Sequence, residues 1–191
     1  GERAGGTGGI DVGAGTTRLD YSAYTNSVTV DLSTDSATGL ASVTNVDDLL
    51  GGSGNDVLQG NADSNWIDGG AGDDDLIGLG GDDTYYFDTD SDLGSDSIDE
   101  SAGSGVDTID FSDTSSLGIT IDLTDTAAQV VNANLSLTLS GTLEDVLGTP
   151  LDDSFTSNSA DNTFTGFAGS DTYIFLDGFG SDTIVEVTSA A

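Results

Sequence analysis

Residues 51–86 read GGSGNDVLQ, GNADSNWID, GGAGDDDLI and GLGGDDTYY when broken every nine residues. The sixth column holds Asp56, Asn65, Asp74 and Asp83, and the eighth holds Leu58, Ile67, Leu76 and Tyr85. Glycine gathers in the first, second and fourth columns. Isolated turns have no reason to repeat in phase, whereas stacked coils do. Glycine admits left-handed dihedrals, so each six-residue turn can curl and aim its carbonyls inward. The sixth-position acid then closes the curl with a carboxylate. The three residues that follow make a short strand, its eighth side chain inward and its seventh and ninth outward.

The pattern extends in both directions. Upstream, SVTNVDDLL puts Asp47 and Leu49 in the same two columns; downstream, the sixth column meets Asp92 but the eighth meets Gly94. Each nonad supplies one turn and one strand, and successive strands lie on opposite faces. Turns on one edge therefore recur every 18 residues, predicting one ladder of Asp56, Asp74 and Asp92 and another of Asp47, Asn65 and Asp83. Stacked strands lie about 4.8 Å apart. Carboxylates at that spacing repel by about 3–4 kcal/mol at an effective dielectric near 20. A divalent cation between them converts the repulsion into a clamp. Carbonyl and carboxylate oxygens are the donors Ca²⁺ prefers. The ligand set expected in these turns is Gly52, Gly54, Asp56, Asn65, Gly70, Gly72, Asp74, Gly81, Asp83 and Asp92.

A longer repeat contains the short one. VTVDL at 28–32 returns as ITIDL at 119–123, RLDYS at 18–22 as TIDFS at 108–112, and GSDSIDE at 94–100 as GSDTIVE at 180–186. Three further nonads start at Gly148: GTPLDDSFT, SNSADNTFT and GFAGSDTYI. They add Asp153, Gly169 and Asp171 to the expected ligands. The chain thus divides into two tandem copies, 1–102 with its nonads at 51–86, and a degenerate copy at 103–191. In the second copy Leu151 replaces a fourth-position glycine, and Asn162 is followed 18 residues later by Gly180. The first copy is therefore expected to hold most of the ions. Asp74 is expected to matter more than Asp83, whose ladder neighbour Asn65 is neutral.

Composition agrees. The chain of 191 residues carries 35 acids against Arg3 and Arg18, a net charge of −33, with no His, Cys or Lys. That excludes a Ser-His-Asp triad, a thiolate nucleophile, a Schiff-base lysine and an ordinary zinc site. It repels nucleic acid and anionic membranes. Only four of the acids are Glu. The Asp bias suits turns and cation loops more than salt adaptation. Leu, Val, Ile and Phe make up about a quarter of the chain, enough to fold once its charge is screened. Helix formers are scarce and β-formers fill the apolar runs, which predicts an all-β fold. No apolar run is long enough to span a membrane. No leader pattern stands at the start, and Gly1 is expected to begin a fragment or processed chain.

GGSGNDVLQ and GGAGDDDLI fit G-G-x-G-x-D-x-U-x, U being a large apolar residue, at every defined position. The sequence here resembles the repeats-in-toxin (RTX), hemolysin-type calcium-binding nonapeptide family. The resemblance implies a right-handed parallel β-roll or β-solenoid, several Ca²⁺ ions in its turns, and a secreted or cell-surface protein that folds outside the cell. It assigns no catalytic activity, and Asp residues in glycine turns lack the apolar cleft an acid catalyst needs. The function expected is a structural, Ca²⁺-triggered folding module. The alternative is an adhesin-type module that recognises carbohydrate, protein or a like subunit.

Several residues read two ways. Asp47, Asp48, Glu144 and Asp145 form either a solvated turn or part of a ligand set. Asp88, Asp90 and Asp92 either complete a ligand set or make a charged cap. Trp66 and Tyr86 point outward and are candidates for stacking on a partner, whereas Tyr85 and Tyr173 belong to the core column.

Overall fold

The computed structural model describes residues 9–11 and 15–187. Among them the only helix is the short 3-10 turn Leu32–Thr34, and the rest is strand and turn. Most strands are three residues long, as a nine-residue coil with a six-residue turn requires. They stack in parallel on two faces. One face is a single eight-stranded sheet in the order Arg18–Asp20, Asp48–Leu50, Trp66–Asp68, Thr84–Tyr86, Thr108–Asp110, Asp145–Leu147, Thr163–Thr165, Thr183–Val185. The opposite face is split between a seven-stranded and a three-stranded sheet. The architecture is an all-β, parallel-stranded roll.

The eighth column is the core. Leu49, Ile67, Tyr85, Ile109 and Val146 face inward from the long sheet with no exposed area, and Leu58, Leu76, Ile98, Ile121 and Phe155 do so from the opposite face. Register is one to one: Ile67 lies beside Leu49 and Tyr85, and Leu76 beside Leu58 and Ile98. A slip of one residue would turn this column to solvent, so the pattern fixes the pairing. In the second copy Phe155 stacks on Tyr173 at 5.3 Å and packs against Phe164 at 5.4 Å.

The core thins at the end of the stack. Ile184 occupies the same column as Ile67 but is 44% exposed. Ile67→Ala should therefore cost about 2–5 kcal/mol, the usual range for a buried aliphatic truncation. Ile184→Ala should cost far less. Urea melts of both variants in saturating calcium would test this; equal losses would refute the gradient.

The long sheet runs unbroken between the sequence copies, Tyr85 pairing with Ile109 and Ile109 with Val146. The opposite face also crosses that junction and is interrupted only farther on, between the sheet holding Leu135–Gly141 and the sheet of Thr120–Asp122, Ser154–Thr156 and Thr172–Ile174. Gly94–Glu100 pairs over its full length with Leu135–Gly141, and Gln129–Asn132 lies antiparallel to the latter. One match from the sequence needs correction. GSDSIDE and GSDTIVE lie on opposite faces, because Ser97–Asp99 pairs with Asp75–Ile77 whereas Thr183–Val185 pairs with Thr163–Thr165. The counterpart of 180–186 in the first copy is 81–87. The extreme ends of the two expected copies, 1–8 and 188–191, lie outside the described residues, as do 12–14.

Candidate metal centre

Two ladders of side chains run along each edge of the stack. In the first, a sixth-position carboxylate accepts the N–H of its counterpart in the preceding coil: Val28 N to Asp56 Oδ1 at 2.8 Å, Asp56 N to Asp74 Oδ1 at 2.7 Å, and Asp74 N to Asp96 Oδ1 at 2.9 Å. On the other edge, Asn65 N donates to Asp83 Oδ1 at 2.7 Å, Asp83 N to Asp107 Oδ1 at 2.9 Å, and Asp107 N to Glu144 Oε2 at 2.9 Å. In the second ladder a fifth-position side chain accepts from the following coil, as Asp73 does from Ser95 N and Asp152 from Ser170 N. A third use of Asp is at the ninth position, where Asp20, Asp68, Asp99 and Asp110 each accept the N–H two residues on and fix the corner. Much of the Asp bias is thus backbone satisfaction at corners.

The ladder over Asp74 differs from expectation. Asp96, not Asp92, stands there, and Asp92 is exposed. The segment after Phe87 takes four extra residues before the next strand, so the step is 22 rather than 18. Asp107 follows Asp83 by 24 residues for the same reason. Asn162 N meets Asp182 Oδ1 at 3.0 Å, so the second copy presents a carboxylate 20 residues on rather than Gly180. These residues were legible in part: G-x-D-x-U recurs at 94–98, 105–109 and 180–184, out of nine-residue phase. Asp47 and Glu144 prove to be column members, Asp47 Oδ2 accepting Thr17 N at 2.7 Å. Asp83 has the acidic Asp107 beside it, so its neutral neighbour Asn65 no longer ranks it below Asp74.

Glycine roles also differ between turns. Gly70 and Gly72 have φ of 85° and 135°, and Gly81 and Gly169 have 102° and 139°. A Cβ at Gly72 would strike Gly54 O at 2.5 Å. Gly52 and Gly54 lie outside the left-handed region, and space explains them instead. A Cβ at Gly54 would fall 2.5 Å from the backbone of Asn26 and Ser27, and one at Gly52 would meet Tyr24 O. Leu151, in a fourth position, likewise lies outside the left-handed region. Left-handed dihedrals fall instead on Leu79 (φ 78°) and Phe167 (φ 58°) in the second column, on Asn45 (φ 59°) in the fourth column of the upstream nonad, and on Asp35 (φ 56°). Gly72→Ala should therefore weaken calcium binding and stability more than Gly80→Ala, whose Cβ has room beyond a 3.3 Å approach to Ser104 Oγ. Calcium titrations of the two variants would show it, and equal affinities would count against it.

The donor set suits a hard cation. Among the buried side-chain oxygens without a hydrogen-bond partner are Asp74 Oδ2, Asp83 Oδ2, Glu100 Oε2, Asp171 Oδ2 and Asp182 Oδ2. A buried carboxylate oxygen left unpaired is costly, and native chains pair such atoms with a proton, a donor or an ion. Burial pushes Asp74 up to about 7, Asp96 to about 8 and Asp83 to about 6, with neighbouring acids adding to each. Burial also raises Asp153 and Asp171. Carbonyls face the same turns: Gly52 O and Gly54 O lie under Gly70 and Gly72, and Leu151 O under Gly169. Asp56 and Asp153 already have both oxygens in hydrogen bonds, with Gly52 N and Val28 N, and with Thr149 N and Ile119 N. Unpaired carboxylates occur in both copies.

The outward aromatics are engaged within the chain. Arg18 lies 3.9 Å over the Trp66 ring and 3.8 Å from Asp48. Tyr86 packs on Trp66 at 5.1 Å and donates to Asp113. Tyr85 is fully buried, and Tyr173 is partly buried against the core. No helix among the described residues is long and apolar enough to cross a membrane.

Residues 50–85 and 147–184 match the family described as RTX calcium-binding nonapeptide repeat (4 copies). No curated protein matches this sequence. Repeats of this family bind Ca²⁺, several ions to an array. The two stretches, which carry Asp56, Asp74, Asp83, Asp153, Asp171 and Asp182 of the ladders, are RTX calcium-binding nonapeptide repeats.

Proposed function

We propose that this calcium-binding repeat module is a non-catalytic folding and spacing element of a secreted or cell-surface protein, ordered by the ions it binds. The observation that carries the reading is the row of buried, unpaired carboxylate oxygens at Asp74, Asp83, Asp171 and Asp182. In the first copy the ligands are drawn from Gly52, Gly54, Asp56, Gly70, Gly72 and Asp74 on one edge and from Asn65, Gly81 and Asp83 on the other. In the second they come from Asp153, Gly169 and Asp171, with Asp182 added. Asp96 takes the place of Asp92. Bound Ca²⁺ supplies positive charge to these oxygens. The chain's own part is to hold carbonyls and carboxylates in register from coil to coil.

A net charge of −33 opposes compaction until cations arrive. Binding to the folded chain alone adds RT ln(1 + [L]/Kd), about 2.7 kcal/mol per site at a hundredfold excess over Kd. Extracellular calcium modules work with Kd near 10⁻⁴–10⁻³ M, which fits a switch that closes on export. Far-ultraviolet circular dichroism during a calcium titration at pH 8 and low salt is expected to show β structure appearing with the ion and vanishing in excess chelator. Mg²⁺ should substitute poorly because it keeps its waters and demands a tighter octahedron. A spectrum indifferent to chelation would refute folding on binding.

A further inference from the structure

Glu100 belongs to no nonad and lies outside both matched stretches, as does Asp107. Yet the two converge with Asp83 where the first sequence copy passes into the second. One oxygen from each lies within 4.8 Å of the other two. All three residues are nine-tenths buried or more, at 1%, 5% and 3% exposed for Asp83, Glu100 and Asp107. Asp83 Oδ2 and Glu100 Oε2 have no hydrogen-bond partner. Among the described residues the only cation is Arg18, held on the outer face over Trp66.

The surroundings form a cradle. A Cβ on Gly78 would strike Asp83 Oδ2, Glu100 Oε1 and, at 2.6 Å, the Tyr85 hydroxyl. A Cβ on Gly103 would strike Glu100 Oε2 and approach Leu79 O at 3.0 Å. Both glycines therefore keep open the space into which the unpaired oxygens point. Leu79 holds a left-handed φ of 78°, a conformation that survives in a side-chain-bearing residue only where the surroundings enforce it. Tyr85 donates its hydroxyl to Glu100 Oε1, which fixes the carboxylate and leaves its other oxygen free.

We propose that Asp83, Glu100 and Asp107, with the Leu79 carbonyl beside them, form a Ca²⁺ site of their own at the junction of the two copies, with Glu100 supplying a side-chain ligand the nonapeptide pattern lacks. The donors are all oxygen, as a hard cation requires. Two oxygens bound to one Ca²⁺ stand at most about 4.6–5.2 Å apart, twice the usual Ca–O distance, so all three carboxylates can reach a single ion. The ion would tie Asp83 and Glu100 of the first copy to Asp107 of the second. The proposal rests on the calcium-binding reading above.

Equilibrium dialysis of the full chain against Ca²⁺, with metal counted by mass spectrometry, tests it. Glu100→Gln keeps the acceptor for Tyr85 and should bind one ion fewer than the unaltered chain. Asp107→Asn should lose the same ion, so the double variant should lose no more than either single one. An unchanged count and affinity in Glu100→Gln overturns the junction site and leaves the repeats' calcium binding intact. An unaltered chain that binds no calcium overturns both. If Glu100→Gln fails to fold, Tyr85→Phe with Tb³⁺ in place of calcium decides instead. Tyrosine-sensitised emission should drop at an unchanged Tb³⁺ count, and undiminished emission overturns the site.

Discussion

Calcium-free protein is expected to be more ordered at pH 5.5 than at pH 8. Burial lifts Asp74 to about 7, Asp83 to about 6, Asp96 to about 8 and Glu100 to about 7, from ordinary values of 3.8 for Asp and 4.5 for Glu. Between the ordinary carboxylate range and these raised values, the folded chain holds protons that the unfolded chain has released. Stability then falls as pH rises, because the unfolded state binds fewer protons. The contribution is complete below about pH 4 and is lost as pH passes through 6 to 8. A tenfold difference in proton affinity between folded and unfolded chain is worth about 1.4 kcal/mol. Against the 5–15 kcal/mol by which domains are usually stable, such groups make the metal-free fold sensitive to pH. Calcium reverses the trend, since it takes the place of the proton and binds best where the carboxylates ionise. Circular dichroism in chelator at the two pH values measures the first effect, and the same scan in calcium measures the second. A metal-free chain that gains structure between pH 5.5 and 8 contradicts the first, and a calcium-loaded chain that loses structure over that range contradicts the second.

Asp96→Ala should be among the most damaging single substitutions, and Asp92→Ala nearly silent. Asp96 is 3% exposed and accepts the N–H of Asp74 at 2.9 Å. Its removal strands a buried donor, at about 1–3 kcal/mol, and takes away the carboxylate facing Asp74 across the next turn. Asp92 is exposed, and surface changes of that kind stay within about 0.5 kcal/mol. Calcium affinity and thermal midpoint in saturating calcium, read for both variants, separate the two residues. Equal effects would restore the strict 18-residue ladder.

That pair also marks how far the sequence could be read. The nine-residue phase was enough for the fold, because the eighth column from Leu49 to Tyr85 needs one geometry to bury all its members. It was enough to stack Asp74 on Asp56 and Asp83 on Asn65, which stand in consecutive nonads without insertion. It failed beyond Phe87, where added residues lengthen the step and the register is kept by pairing between strands rather than by counting. Asp96, Asp107 and Asp182 keep the local G-x-D-x-U signature, so a search for that signature without a fixed period would have found them. Glu100 carries no local signature. It stands at the end of the strand Gly94–Glu100, and only the folded arrangement brings its carboxylate within 4.8 Å of those of Asp83 and Asp107. Gly52 and Gly54 show a similar limit, since their reason is the nearness of Tyr24 and Asn26, residues some thirty positions earlier.

The unbroken eight-stranded sheet has a consequence for how the molecule comes apart. A roll of coils behaves as a one-dimensional chain of nearest neighbours, in which the cost of a boundary between ordered and disordered coils decides how far order spreads. Had both faces been cut at the junction, two boundaries could sit there cheaply and the halves would melt one after the other. With Thr84–Tyr86, Thr108–Asp110 and Asp145–Leu147 laid edge to edge, a front that stops at the junction must leave strand edges unsatisfied. The long sheet thus works as a zipper's spine. Order gained on one side of residue 102 is handed to the other, and the whole array is expected to close in a single transition.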